Sequence, residues 1–198
     1  MAHKGITPAI FPYTSEEDAS DEVKDLYKGI KEALHQPFVP NFVRVFGGSP
    51  ASIRAFTGMM ASLLNGGVIP PPQKLLLFLA IASARNCEYC TSSQLVACRM
   101  AGVDQETIEK VAEEAERADV KPQRLQEMVR FAVKASLDPN GITPDDYETL
   151  FAVGLSKDEC CELVCTAAMF TYAIIVCDSL GIPVDDEYLA ILSGQAPG

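Results

Sequence analysis

An all-α fold is what this sequence predicts, and three features predict it. Apolar residues recur at helical spacing along segment after segment, and no segment alternates with period two. Gly, Pro, Ser and Asp punctuate the chain as helix caps and stops, and no Asn-Gly hairpin lies between β-rich runs. With 48% hydrophobic residues and a mean hydropathy of +0.11, the 198-residue chain has ample apolar side chain for a packed core. The expected organisation is an N-terminal arm over 1–19 and a helical domain over 20–198, with a cysteine motif inside 71–102.

The elements follow in order. Residues 1–19 carry Pro8, Pro12 and the acidic cluster Glu16–Asp18, which suits an irregular arm. Asp21 is the expected cap of a first helix reaching Leu34, with Val23, Leu26, Tyr27 and Ile30 at helical spacing. Pro37 and Pro40 break it, and Phe38–Phe46 reads as one short apolar helix stopped by Gly47-Gly48. Ser49-Pro50 pairs a capping Ser with Pro at the first helical position, opening Ala51–Leu64. The prolines at 70–72 connect to a helix over Gln73–Arg85 and a second over Cys87–Ala101, closed by Gly102. Asp104 caps an acidic helix, and Pro122–Leu137 forms another. Thr143-Pro144 opens a short helix that stops at Gly154. Ser156 with Glu159 has capping-box spacing and opens Lys157–Leu180, the most apolar helix of the chain. Gly181-Ile182-Pro183 ends it, before a last turn or two over Asp185–Leu192. Gly102-Val103-Asp104 and Gly154-Leu155-Ser156, 52 residues apart, repeat one local pattern and suggest a duplicated helical unit.

Bulk properties exclude several function classes. A net charge of -11 argues against nucleic acid and anionic membrane as partners. The N-terminus lacks the basic region and apolar core of a signal peptide. The longest apolar run, Leu163–Cys177, has 15 residues where a bilayer span needs about 20, so it reads as a buried helix. Seven cysteines, an odd number scattered over four regions, fit a cytoplasmic and mostly reduced protein better than an exported one.

The chemistry centres on Cys87-Glu88-Tyr89-Cys90. Two thiols three residues apart at a helix entry can close a disulfide or share a metal. Free backbone N–H groups and the positive end of the helix dipole favour a thiolate there, and such placement lowers a cysteine below the free value of about 8.5. A reactive dithiol is the sharper reading, and an inert structural pair the bland one. A tetrahedral zinc would need two more ligands, and no second Cys-x-x-Cys or nearby His supplies them; no metal or cofactor is expected. Cys98, Cys160, Cys161, Cys165 and Cys177 default to core packing, since cysteine is among the most buried residue types. His35 sits at a helix end, where a cation complements the dipole.

Taken together, Pro40-Asn41-Phe42 to Ser49-Pro50, the core Leu75–Gly102 with Asn86-Cys87-x-Tyr89-Cys90, and Ile142-Thr143-x-x-Asp146 resemble the AhpD-like, or carboxymuconolactone decarboxylase-like, superfamily. Gly154-Leu155-Ser156 and the closing Asp178-x-Leu180-Gly181-Ile182 extend the resemblance over most of the chain, and the length resembles its peroxidase-related subgroup. The resemblance implies an all-helical homo-oligomer (dimer, trimer or hexamer) that reduces alkyl hydroperoxides. It implies Cys90 as the peroxide-attacking cysteine and Cys87 as its resolving partner, passing through a sulfenic acid to a disulfide. A lipoyl- or thioredoxin-type protein would then reopen that disulfide. The family's relay His, one turn beyond the second cysteine, is Gln94 here, and its Glu, twelve residues before the first, is Leu75. General acid–base assistance is worth roughly 10²–10⁴-fold, so the implied activity is weak unless Glu88, Lys74, Tyr89 or another carboxylate substitutes. The competing class is a non-enzymatic helical oligomer that binds an apolar small molecule or senses redox state.

Overall fold

The computed structural model describes residues 6–194; residues 1–5 and 195–198, with His3 and the start of the 1–19 arm, lie outside the described residues. Ten α-helices occur among them and no strand. They are α1 (Asp21–Leu34), α2 (Asn41–Arg44), α3 (Pro50–Met59), α4 (Pro71–Ala84), α5 (Glu88–Met100), α6 (Gln105–Glu114), α7 (Gln123–Leu137), α8 (Pro144–Ala152), α9 (Lys157–Leu180) and α10 (Asp186–Leu192).

The capping residues explain most boundaries. Ser20, one residue before the expected Asp21, caps α1 by accepting the Val23 N–H, while Asp21 and Glu22 sit in the first turn against the helix dipole. Asp104 accepts the Thr107 N–H at 2.8 Å at the start of α6. Full capping boxes open α8, from Thr143 and Asp146, and α9, from Ser156 and Glu159. Gly181 closes α9 in the left-handed conformation that glycine adopts without steric cost. Two expectations shift. Ser49 makes no side-chain cap to α3; its hydroxyl pairs with Ser52 at 2.8 Å instead. The run to Leu64 is not one α-helix, because α3 gives way to a π turn over Met60–Leu64.

The core is arranged around α4. From Leu76 to Ala82 every residue is buried, so this helix has no solvent face and must be enclosed. α5, α6, α7 and α9 pack around it, with Phe78 stacked on Phe170 of α9 at 4.2 Å between ring centroids. α9 is long and apolar enough by composition to cross a membrane, but half of its most apolar stretch is buried inside the molecule. It serves as the second core helix.

A buried ammonium lies within this core. Lys74 is fully buried; its ammonium donates to the carbonyls of Leu63 (2.5 Å) and Gly66 (2.6 Å) and pairs with Glu162 of α9 at 2.5 Å. Glu162 also accepts the N–H groups of Val68 (2.7 Å) and Ile69 (3.1 Å). The carboxylate therefore pins the connector before α4 to α9. Gly67 stands at φ +82 with the Glu162 carboxylate where a Cβ would be, so both its backbone angle and its surroundings require glycine. Burial alone would raise the Glu162 carboxyl, but Lys74 and the two backbone donors hold it below its ordinary value. Its contribution is thus complete above the unfolded carboxyl pKa of about 4.3 and lost as pH falls through the lowered folded value. Glu162→Ala leaves the Lys74 ammonium without its counter-charge in the core. It should cost roughly 3–5 kcal/mol, a fall of roughly 6–20 °C in the thermal midpoint. A drop under about 2 °C would show that the pair does not hold these segments together.

Candidate functional site

The hairpin of α4 and α5 sets the site. α4 ends at Ala84, Asn86 turns the chain through φ 56, and Cys87 becomes the N-cap of α5 in extended conformation. Cys90 follows one turn later. Both sulfurs point inward: Cys87 is fully buried and Cys90 nearly so. There they meet Cys177 from α9. The three Sγ atoms lie within 4.8 Å of one another, and the Cys90 thiol donates to the Cys177 sulfur at 3.6 Å.

This cluster titrates unevenly. Hydrogen bonds from the thiols of Cys177 and then Cys90 favour the Cys87 thiolate and outweigh its burial, so Cys87 lies well below an ordinary thiol. Cys177 also pulls Cys90 down, but the bond to Cys87 and burial dominate and keep Cys90 protonated. Burial, then the bonds to Cys87 and Cys90, raises Cys177. The first proton lost from the cluster is therefore the Cys87 proton, at a helix N-terminus whose dipole suits the charge.

Beside the cluster is a cavity of about 130 Å³. Its wall is mostly apolar, from Leu34, Phe42, Val43, Phe56, Met60, Leu64, Leu75 and Phe78, and two sulfurs reach it, those of Cys90 and Cys177. Cys87 does not line it. Phe42 and Phe56 pack at 4.5 Å between ring centroids, closing one side. Gln94, one turn beyond Cys90, is only 8% exposed and also lines the wall. Its Nε2 donates to Ser93 Oγ at 3.4 Å, while its Oε1 is buried with no hydrogen-bond partner. An unmet carbonyl in such a place costs about 1–3 kcal/mol and is satisfied by whatever donor enters.

The other expected site residues divide. Tyr89 is on the cavity wall, but its hydroxyl donates to Asp185 at 2.8 Å and accepts the Phe42 N–H at 3.2 Å, and burial raises it well above an ordinary phenol. It holds structure rather than protons. Glu88 is exposed and outside the cavity wall. Lys74 is committed to Glu162 and two carbonyls and does not reach the cavity. Leu75, where the resemblance leads one to expect a Glu, forms part of the apolar wall.

The cysteines of α9 need correction. Cys160 and Cys177 are buried as expected, but Cys161 and Cys165 are exposed, because residues adjacent in sequence fall on different faces of a helix. Cys98 is a buried thiol pushed up to about 12 by desolvation and takes no part in the cluster. Two site residues escaped the sequence. Cys177 looks like one more apolar residue of a core helix, and its signal is only that it directly precedes the motif that begins at Asp178. Asp185 stands in the sequence only as the first residue of the expected last turn, yet it is buried, accepting the Asn41 N–H at 2.7 Å and the Tyr89 hydroxyl. These bonds tie the entry to α10, whose Tyr188 also lines the cavity, to α2 and α5.

Burial raises the Asp185 carboxyl to about 6 against the lowering pull of Asn41 and Tyr89. The folded state then holds a proton that the unfolded chain, with Asp near 3.9, has released. This group accordingly favours folding fully below about 4, and its contribution is lost as pH rises to about 6. Glu162 acts lower on the scale, so the windows separate. Asp185→Asn should flatten the pH dependence of the thermal midpoint between pH 4 and 6. A slope unchanged from wild type would mean Asp185 does not titrate there.

Comparisons with known proteins agree with this architecture. The carboxymuconolactone decarboxylase family model matches residues 50–126, a span that includes α3, α4, α5 and α6. The structure resembles an AhpD-core peroxidase-related protein from Ralstonia eutropha JMP134 at a TM-score of 0.82 and 21% identity, covering 95% of this chain and 97% of that one. A peroxidase-related protein from Silicibacter sp. TM1040 gives a TM-score of 0.82 and 20% identity over 95% and 96% of the two chains. The debrominase Bmp8, solved as a Cys-to-Ala variant with 2,3,4-tribromopyrrole, gives a TM-score of 0.77 and 18% identity over 92% and 95%. No curated protein matches in sequence.

Proposed function

We propose that this chain, which carries a carboxymuconolactone decarboxylase family match over 50–126 and the fold of AhpD-like proteins, belongs to that superfamily and performs thiol-dependent reduction of apolar alkyl hydroperoxides, with Cys90 attacking and Cys87 resolving. One observation carries the reading: Cys90 lines an apolar cavity, while the low-pKa Cys87 lies behind it in the same sulfur cluster.

A hydroperoxide enters with its alkyl chain against Phe42, Phe56 and Leu75, and its O–H donates to the unmet Gln94 Oε1. The Cys87 thiolate takes the Cys90 proton, the resulting Cys90 thiolate attacks the terminal oxygen, and the O–O bond breaks. That proton passes from Cys87 to the leaving alkoxide, giving an alcohol and Cys90 sulfenic acid and leaving Cys87 a thiolate again. Cys87, already a thiolate, then attacks the Cys90 sulfur and expels hydroxide, which a solvent proton converts to water. A dithiol protein of lipoyl or thioredoxin type takes up the disulfide by exchange, and Cys90 is the sulfur it can reach through the cavity. Gln94 positions the substrate but relays no proton near neutral pH, which sets the expected rate below that of a site with His there. The net charge of -11 supports partners other than nucleic acid and anionic membrane, and work in the cytoplasm as a homo-oligomer belongs to the same reading.

The test is peroxide consumption by the pre-reduced protein with excess dithiol, using an alkyl hydroperoxide and 2,3,4-tribromopyrrole in parallel. Cys90→Ser should abolish peroxide turnover, and Cys87→Ser should leave a sulfenic acid at Cys90 that dimedone traps. Gln94→Leu should lower kcat/KM for the alkyl hydroperoxide by roughly tenfold, the worth of about one hydrogen bond, with Cys90 still alkylated at the wild-type rate. Turnover that survives Cys90→Ser would overturn the assignment. Consumption of the bromopyrrole without any of the peroxide would move the substrate class to halogenated aromatics.

A further inference from the structure

We propose that Cys87, Cys90 and Cys177 form a three-thiolate site for a soft d10 metal ion, Zn(II) or Cu(I), a use of these sulfurs that does not depend on peroxide chemistry.

The sequence alone places two ligands, Cys87 and Cys90, and two thiols close together make a weak claim. The fold adds the third from α9, 87 residues further on. A metal held by three thiolates in a plane at about 2.3 Å separates the sulfurs by about 4.0 Å. Here Cys90 and Cys177 stand 3.6 Å apart and no pair exceeds 4.8 Å. An ion can thus be seated with sulfur displacements of less than about 1 Å. A disulfide, by contrast, requires one pair to close to about 2.05 Å.

Charge and ligand type point the same way. Thiolates in an apolar setting are costly unless a cation sits among them, and no Lys or Arg lines the adjoining cavity wall. Asp178 lies beside Cys87, adding a further acidic group. Thiolate donors select the soft and borderline d10 ions over Mg(II) or Ca(II). The cluster is held by two core helices, so the ligands are ordered before the ion arrives. Cys90 and Cys177 open on the cavity, which leaves room for a fourth ligand on that side. Water bound there to zinc would donate to the unmet Gln94 Oε1, whereas Cu(I) is satisfied by the three sulfurs.

The experiment is anaerobic titration of the fully reduced, metal-free protein with Zn(II) and, separately, with Cu(I), against a chromophoric chelator, with no peroxide present. One ion per chain is expected, with three sulfurs at about 2.3 Å by X-ray absorption of the loaded protein. Cys177→Ser should weaken binding by more than about 100-fold, beyond the cost of losing an outer hydrogen-bond partner, whereas Cys161→Ser on the exposed face of α9 should leave it unchanged. Three-sulfur zinc with one light-atom ligand identifies Zn(II), and three-sulfur copper without one identifies Cu(I). A two-sulfur site, binding indifferent to Cys177→Ser, or no ion retained against the chelator would overturn the proposal. The absorption measurement on the unmutated chain decides the matter even if Cys177→Ser fails to fold. Peroxide turnover is measured on the metal-free protein, so failure of either reading is visible without the other.

Discussion

A helix with no solvent face has to be surrounded, and α4 is such a helix. Seven consecutive apolar residues, Leu76–Ala82, leave no stripe for water. Four helices therefore close around it, and their enclosure settles where α5 starts, where α9 runs and which of their residues meet. The sulfur cluster is a by-product of that packing. Cys87 is at the N-cap of α5 because α4 ends at Ala84, and Cys177 reaches it because α9 lies against both α4 and α5. Burying about 25 cal/mol of stability per Å² of apolar surface, this core can hold three thiols in contact and one ammonium in the dry interior.

The polar groups of the interior are consequently few and most have partners; among the described residues Tyr13 Oη, Ser83 Oγ, Thr166 Oγ1 and Gln94 Oε1 do not. Lys74 is encircled by oxygen, and Asp185 and Tyr89 satisfy each other. Gln94 keeps a carbonyl without a partner on the cavity wall. It lies one turn of α5 beyond Cys90, and both residues line the same cavity.

Much of this was legible in the sequence, because caps and helical periodicity are local. Ser156 and Glu159 announce α9 to the residue, and Asp104 announces α6, since each cap needs partners only three residues away. The Cys-x-x-Cys pair was equally plain. What stayed hidden depends on contacts far apart in sequence. Cys177 joins Cys90 across 87 residues, and Asp185 joins Tyr89 across 96. No periodicity reports such meetings. Lys74 shows the converse: a lysine near the motif suggests proton chemistry until its burial and three oxygen partners reveal a structural role.

The division of the thiols between interior and surface bears on how the molecule meets its chemical surroundings. Cys161 and Cys165 are exposed on α9, while the other five cysteines are buried. A reagent that tallies accessible sulfur therefore sees the outer face of α9 first and reads two fast thiols where the chain contains seven. Oxidation of those two exposed thiols can run to completion while the buried cluster is untouched. A bulk thiol count and the buried cluster therefore report on different sulfurs.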